Sequence, residues 1–184
     1  MMTLETIKKS NILVTGPPGC GKSTLIEKVI KRIEEPVTGF FTREIQEKGR
    51  RAGFSITTLD GKEGVLAHQN IRSKFRVGKY GVNIEDIHSL AVPAMVPKQK
   101  GEIIVIDEIG KMECFSGLFK KTLIQALDSP NCIIGSIALK GDHFIQRIKE
   151  RSDIRLIFVS EKNRNKLTEK IINYIQRNEH TLMQ

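Results

Sequence analysis

The stretch from Gly16 to Ser23 constrains what this chain can fold into more than any other part of it. Its residues, GPPGCGKS, match the pattern G-x-x-x-x-G-K-[ST] over its full length. The apolar run from Asn11 to Thr15 precedes it, and the segment from Ser23 to Ile33 follows with helix-forming residues and one apolar face. A buried strand, a glycine-rich loop and an amphipathic helix in this order predict an α/β domain of the P-loop class.

This loop has the chemistry to hold the phosphates of a nucleoside triphosphate. Its glycines let the backbone curl so that successive N–H groups turn inward around an anion. The helix that begins near Lys22 adds the partial positive charge of its N-terminus. In this pattern Lys22 would reach the β- and γ-phosphates, and the Ser23 hydroxyl would ligate Mg²⁺. A chance match would not bring the flanking strand and helix with it.

The rest of the chain alternates apolar strands with helices. Such alternation predicts a mostly parallel, five-stranded sheet with helices on both faces. The whole chain, residues 1–184, fits one domain. The predicted strands are Asn11–Thr15, Val37–Glu44, Glu102–Asp107, Cys132–Ile137 and Ile154–Val159. The predicted helices are Ser23–Ile33, a helix marked by apolar residues between Phe115 and Leu127, His143–Arg151 and Asn163–Arg177.

An antiparallel β-meander is predicted as an insertion in this fold, at about residues 44–68. Two short runs there have strand character, Gly53–Leu59 and Gly64–His68. Asp60-Gly61 between them is a strong signal for a tight turn. The meander is expected to be carried by the main sheet.

Two acids close the apolar run that begins at Ile103. Asp107 and Glu108 follow it directly, and in a parallel sheet such a strand end lies where ligands bind. Asp107 would hold the Mg²⁺ shell through water. Glu108, one residue further, would point to the position of a water that attacks the γ-phosphate. Two ordinary surface acids are the alternative, and the P-loop favours the metal-binding interpretation.

The spacing from Asp107 to Gly110 also fits the D-x-x-G pattern of switch GTP-binding proteins. Those proteins read guanine through N-K-x-D, whose carboxylate pairs with the edge of the base. The nearest stretch here, Asn165 to Thr168, reads NKLT and has Thr where that Asp belongs. Selectivity for guanine therefore has no visible basis in the sequence.

Composition narrows the choice of partners and compartment. The formal charge of +9 attracts polyanions, which include nucleotides and nucleic acid. Aromatic residues make up only 5% of the chain, so a large stacking surface is not expected, although nucleic acid stays open as a partner. No apolar run approaches the ~18 residues that span a membrane. Three cysteines without metal-ligand spacing suit a reduced, cytoplasmic protein. The oligomeric state is left open.

Several further motifs resemble those of one family, in the same order along the chain. They are Thr38–Glu44 (TGFFTRE), Gly53-Phe54, Val77–Asn83 (VGKYGVN), Asp107–Glu113 (DEIGKME) and Asn163-Arg164. With them the sequence resembles the small THEP-type nucleoside-triphosphatases, the group that includes cancer-related nucleoside-triphosphatase. The resemblance implies a RecA-like arrangement and hydrolysis of ATP, GTP, CTP and UTP to diphosphate and phosphate, with little base preference.

The resemblance also implies two nucleotide-contacting stretches, the P-loop and the segment around Ile104 to Lys111. Glu108 and Lys22 are the predicted catalytic residues, and Ser23 and Asp107 the predicted metal ligands. Arg164 joins the site because it follows a strand at the ligand edge of the sheet. The predicted nucleotide-binding residues are Gly16, Pro17, Pro18, Gly19, Cys20, Gly21, Lys22, Ser23, Thr24, Ile104, Val105, Ile106, Asp107, Glu108, Ile109, Gly110, Lys111 and Arg164.

Two stretches depart from the pattern of that family. Residues 1–10 form an N-terminal extension that the family usually lacks. The stretch from Ala94 to Gly101 is shorter than the helix expected there and carries Pro97, which could alter the rim of the site. The segment before it, Ile84–Met95, is weakly helical, and Pro93 is expected to interrupt it.

Phosphoryl transfer favours an arginine near the developing charge, but the sequence does not choose one. The candidates are Arg43, Arg50, Arg51, Arg72, Arg76 and Arg164. Ser136 could sense the γ-phosphate or simply fill a buried strand.

Two other functions would use the same loop. One is a kinase for a nucleoside, a nucleotide or a polynucleotide 5′ end, with Arg72 to Lys79 as a lid, and the other is a slow nucleotide-dependent RNA-binding module.

Overall fold

The computed structural model describes residues 11–182, with side chains through Gln176. The predicted N-terminal extension, residues 1–10, lies outside the described residues. Within them, nine strands form a single sheet. The strands are β1 (Asn11–Thr15), β2 (Val37–Glu47), β3 (Arg50–Thr58), β4 (Glu63–His68), β5 (Arg76–Val77), β6 (Tyr80–Val82), β7 (Ile103–Ile109), β8 (Ile133–Ile137) and β9 (Ile154–Phe158).

Five of these strands form the parallel core that the sequence predicts. The order across the sheet is β5-β6-β4-β3-β2-β7-β8-β1-β9, and the last five strands in this order pair in parallel. The residues of β1 and β8, and those of β7 through Asp107, are buried on both faces of the sheet, which is typical of a sheet that is covered on both sides. The carboxyl ends of β1, β2, β7 and β8 therefore meet at one edge, where ligands bind such sheets.

The antiparallel meander continues the same sheet beyond β2. β2 pairs with β3, and β3 with β4, in antiparallel register. β5 and β6 then add a hairpin that pairs with β4 and that the sequence did not predict as strands. With two and three residues, these strands are too short to show the alternation by which strands are recognised.

Helices cover both faces of the sheet, as predicted. They are α1 (Lys22–Ile30), α2 (Ile84–Asp86), a π-helical turn (Ile87–Ala91), α3 (Val92–Ala94), a 3₁₀ turn (Glu113–Phe115), α4 (Gly117–Asp128), α5 (His143–Lys149) and α6 (Arg164–Leu182). α1 and α6 pack against the face that holds Val14 and Val105. α4 and α5 pack against the opposite face, with Ile104 and Ile106. Successive side chains of β7 therefore pack alternately in the two hydrophobic clusters, one on each face of the sheet. None of the described helices is long and apolar enough to cross a membrane.

Several predicted boundaries shift, and Pro93 does not interrupt its helical segment. Residues from Ile84 to Ala94 run without a break from α2 through the π-helical turn into α3. Pro93 is the second residue after the π-helical turn, and the run ends one residue later at Ala94, so little helix remains for the proline to disrupt. α1 ends at Ile30, before its predicted end, and α6 continues to Leu182, beyond its predicted end.

Candidate functional site

The loop from Gly16 to Ser23 joins β1 to α1 at the carboxyl edge of the sheet. Two of its glycines are required by its path. Gly21 has a φ of 99°, which residues with a side chain rarely adopt. A Cβ on Gly16 would lie 2.3 Å from the carbonyl oxygen of Val159, so only glycine lets the loop pass the turn after β9. The backbone conformation of the loop thus requires glycine at these two positions of the motif.

The loop and the start of α1 offer positive charge and free donors to an anion. Among the described residues, no side chain caps the N-terminus of α1, and its first turn contains no acid. Its first N–H groups therefore stay open to a ligand. Lys22 Nζ donates to the carbonyl oxygens of Gly16 (3.1 Å) and Pro17 (3.2 Å), which holds the ammonium group over the loop. Pro17, Pro18 and Gly19 are exposed, and Cys20 is buried beneath them.

Asp107 lies inside β7 rather than at its end. The strand continues to Ile109, which pairs with Ile137 of β8, so the predicted end at Asp107 is wrong. Asp107 is in register with Phe41 of β2 and is 1% exposed. The Ser136 hydroxyl donates a hydrogen bond to Asp107 Oδ1. Asp107 Oδ2 is equally buried, and no described residue hydrogen-bonds to it.

The P-loop and the sheet converge electrostatically on this carboxylate. Burial raises the pKa of Asp107, because the charged form loses its hydration. The hydroxyls of Ser136 and Ser23 lower the pKa, as do the charges of Arg43 and Lys22. A buried carboxylate oxygen without a donor is costly, and a cation in front of it would remove that cost.

Two further carboxylates flank Gly110, just after β7. A Cβ on Gly110 would lie 2.9 Å from Glu113 Oε2 and 3.2 Å from Glu108 Oε1. Burial raises the pKa of the half-buried Glu108, while the charge of Lys22 lowers it. Burial, followed by the charge of Glu108, raises the pKa of Glu113 to about 8. Glu113 belongs to the DEIGKME stretch, but its spacing alone did not place it beside Glu108.

Arg164, the first residue of α6, lies against the P-loop. A Cβ on Gly21 would meet Arg164 Cδ at 3.2 Å and Nη1 at 3.3 Å. A small cavity of about 200 Å³ opens there, lined by Gly21, Thr24, Leu25, Lys28, Arg164 and Asn165. Thr24 is exposed at this cavity. Contact of Arg164 and Thr24 with the nucleotide stays a prediction.

The remaining predicted residues of β7 occupy the core. Ile104, Val105, Ile106 and Ile109 are fully buried, and their side chains pack in the two hydrophobic clusters. Lys111 is exposed in the turn that follows. Contact of this segment with the nucleotide stays a prediction. The side chains in it that do not pack in the hydrophobic clusters are those of Asp107, Glu108 and Lys111.

Comparison with known proteins yields one family. The sequence profile of a family described as NTPase matches residues 11–172. Nucleoside-triphosphatase THEP1 of Thermotoga maritima is 41% identical over 168 residues, which cover 91% of this chain and 96% of that protein. Human cancer-related nucleoside-triphosphatase is 38% identical over 185 residues, which cover 90% of this chain and 96% of that protein.

Two solved structures share the fold. The crystal structure of THEP1 from the hyperthermophile Aquifex aeolicus matches with a TM-score of 0.81 at 34% identity, covering 90% of this chain and 98% of its own. The solution structure of a human cancer-related nucleoside triphosphatase matches with a TM-score of 0.78 at 37% identity, covering 91% and 98%. These matches confirm the α/β fold with a parallel core and an antiparallel insertion.

Proposed function

Since this chain belongs to the THEP1 and cancer-related nucleoside-triphosphatase family, we propose that it hydrolyses ATP, GTP, CTP and UTP with Mg²⁺ at the P-loop, with little base preference. Nucleoside-triphosphatase activity follows from the family. The metal, the breadth of substrates and the role of each residue are the finer parts of the proposal. The main support for the proposal is the buried Oδ2 atom of Asp107. It has no hydrogen-bond partner among the described residues, and it lies next to the phosphate loop.

The oxygens around Asp107 fit a Mg²⁺ ion that arrives with the triphosphate. Mg²⁺ prefers oxygen ligands and keeps several waters, so one or two protein oxygens are sufficient. The Ser23 hydroxyl and the Asp107 carboxylate would supply them, and the hydroxyl lies close enough to lower the pKa of that carboxylate. Bound there, Mg²⁺ would neutralise charge on the β- and γ-phosphate oxygens.

The reaction needs a base for water, and we assign that role to Glu108. The water oxygen bonds to the γ-phosphorus while the bond from phosphorus to the bridging oxygen breaks, and the diphosphate leaves with that electron pair. The proton of the water passes to the Glu108 carboxylate. Burial raises the pKa of Glu108, which makes its carboxylate a stronger base than an exposed one. Lys22 holds the phosphates during this step.

The nucleoside side of the site supports low base selectivity. The cavity beside Arg164 measures about 200 Å³, which is smaller than the ~300–1,000 Å³ of pockets that enclose a ligand. A base placed there would be held at one edge and remain largely open to water. Arg164 can stack on any of the four bases, because every base offers a flat π surface.

Phosphate release from the four triphosphates tests the proposal, with Mg²⁺ or EDTA and without any acceptor. We expect Mg²⁺-dependent release, with kcat/KM values within about tenfold of one another, or ~1.4 kcal/mol. A preference of several hundredfold would show a specific base pocket and contradict the proposed selectivity. Phosphate release that continues in EDTA would contradict the proposed requirement for Mg²⁺.

The same assay addresses the kinase and the RNA-binding module. A kinase would need its acceptor, and a binding module would release almost no phosphate. The lid proposed for a kinase, Arg72 to Lys79, packs through Phe75 on Phe115, with ring centroids 5.4 Å apart. Its Arg76 donates to the carbonyl oxygens of Ile71 and Lys79, so part of its charge holds the β5–β6 hairpin together. A cytoplasmic location and nucleic acid as a partner remain proposals.

A further inference from the structure

The structure gives distinct surroundings to four of the six arginines among which the sequence could not choose. Arg51 bonds to Glu44 (2.6 Å) and to the Tyr80 hydroxyl (3.2 Å) within the meander. Arg76, as described above, holds the β5–β6 hairpin. Arg164 lies on the nucleoside side of the P-loop, beside Gly21. Arg43 is the candidate whose surroundings point to the γ-phosphate side of the site.

Arg43 extends from β2 across the face of the sheet that carries the P-loop helix. β2 runs parallel to β7, with Phe41 in register with Asp107. Because side chains alternate along a strand, Arg43 points to the same face as Phe41, one step further along the carboxyl edge. Its guanidinium carbon lies 5.1 Å from the centre of the Phe41 ring. Phe41 itself packs in the cluster that holds α1.

The far end of Arg43 reaches the P-loop helix. Arg43 Nη2 forms an ion pair with Oε1 of Glu27, in the second turn of α1. The guanidinium is therefore held between β2 and α1, on the side of the sheet where Asp107 faces the P-loop. The side chains of this pair are 46% and 29% exposed, and a partly hydrated ion pair of this kind is weak. A triphosphate, with its larger charge, can displace Glu27.

We propose that Arg43 is the arginine that stabilises the transferred phosphoryl group, and that its ion pair with Glu27 is a resting position that the triphosphate displaces. This inference rests on the proposed hydrolysis. As the bond to the bridging oxygen breaks, negative charge grows on that oxygen and stays on the γ-phosphate oxygens. The N–H groups of Arg43 donate to these oxygens, and no proton leaves the guanidinium.

Replacement of Arg43 tests this role, with Arg51→Ala as the matched control. Arg51 is also 46% exposed, ion-paired to a glutamate and placed over an aromatic ring. We expect Arg43→Ala to lower kcat by at least ~10²-fold, since such an arginine is worth about 10³–10⁵ in other phosphoryl-transfer enzymes. Arg51→Ala should stay within about threefold of the wild type, as a change outside the site does. Arg43→Lys should recover only part of the loss, because an ammonium group lacks the planar fork of donors with which a guanidinium matches two phosphate oxygens.

Glu27→Gln separates catalysis from a merely structural ion pair. If Arg43 serves only to hold Glu27, both variants lose the same pair and should show equal effects. If Arg43 acts on the phosphate, Glu27→Gln frees it, and we expect KM to fall about two- to fivefold with no loss of kcat. The ADP–fluoroaluminate complex, which mimics the transferred phosphoryl group, should bind Arg43→Ala far more weakly than the wild type, while ADP binds both alike.

Phosphate release by Lys22→Ala and Arg43→Ala distinguishes failure of the Arg43 role from failure of the proposed function. Lys22→Ala and the wild type are measured in the same assay. If they release phosphate equally, the P-loop is not the site and the proposed function fails. If Lys22→Ala is inactive while Arg43→Ala turns over at the wild-type rate, the hydrolysis stands and the role of Arg43 is overturned. Equal losses in Arg43→Ala and Glu27→Gln would also overturn it.

Discussion

Replacement of Glu113 by Gln should change how the stability of this protein depends on pH. Glu113 is buried in the 3₁₀ turn after β7, and burial, followed by the charge of Glu108, raises its pKa from 4.5 to about 8. The unfolded chain loses this proton near pH 4.5, whereas the folded protein keeps it up to about pH 8. Between these values the folded state binds one proton more than the unfolded state, so stability falls as the pH rises.

The magnitude of the effect follows from the same shift. One pKa unit corresponds to about 1.4 kcal/mol, so ionisation of Glu113 lowers the free energy of unfolding by about 3–5 kcal/mol between pH 4.5 and pH 8. Gln has nearly the same shape and cannot ionise. Asp107 and Glu108, whose pKa values burial also raises, remain in both proteins. The difference between the two proteins therefore reports the ionisation of Glu113 together with its electrostatic coupling to Glu108.

Urea denaturation of the wild type and Glu113→Gln, at pH 5 and at pH 8.5, measures this difference. Between pH 5 and pH 8.5, the free energy of unfolding should fall by about 3–5 kcal/mol more in the wild type than in the variant, because proton binding is linked to folding. The result at pH 5 is the internal control, because a simple packing defect would lower stability at both pH values. If the two proteins show the same pH dependence, Glu113 is not a buried acid that must stay protonated.

Two other substitutions test the loop and the buried carboxylate. Lys22→Ala should weaken Mg–ATP binding by at least ~2 kcal/mol, or about 30-fold, because the phosphates lose a charged donor. Calorimetric titration measures this affinity, and an unchanged value in a folded variant would place the nucleotide elsewhere. Ser136→Ala leaves Asp107 Oδ1 without its donor and should cost about 1–3 kcal/mol of stability. Urea denaturation without nucleotide measures this cost, and an unchanged midpoint would show that the hydroxyl is replaceable.

The loop and the parallel core could be predicted because their signals are local and contiguous. The eight residues from Gly16 to Ser23 carry a conformation that glycine alone permits at Gly16 and Gly21. The central strands β1, β7 and β8 are buried on both faces, so each stands out as a mainly apolar run. The end of β7 was placed too early because Asp107 and Glu108 interrupt that run, although pairing with β8 continues to Ile109.

The finer geometry of the site could not be predicted, since it depends on contacts between distant elements. The Asp107–Ser136 bond joins two strands, and the Arg43–Glu27 pair joins a strand to a helix. Spacing along the chain encodes neither contact. The sequence therefore did not show which of the six arginines stabilises the transferred phosphoryl group. The register of β2 against β7 is what distinguishes Arg43, because it sets this residue one step beyond Asp107 on the same face.

Single-turnover hydrolysis by Glu108→Gln, measured together with nucleotide affinity, tests the central claim most directly. Glu108 is half-buried beside the P-loop, within reach of the charge of Lys22. Gln keeps the size of the side chain but cannot accept the proton of the water. The backbone N–H groups, Lys22 and the metal ligands are unchanged, so Mg–ATP should bind with nearly wild-type affinity. The rate should fall by about 10²–10⁴-fold. Hydrolysis at the wild-type rate would contradict the assignment of Glu108 as the base.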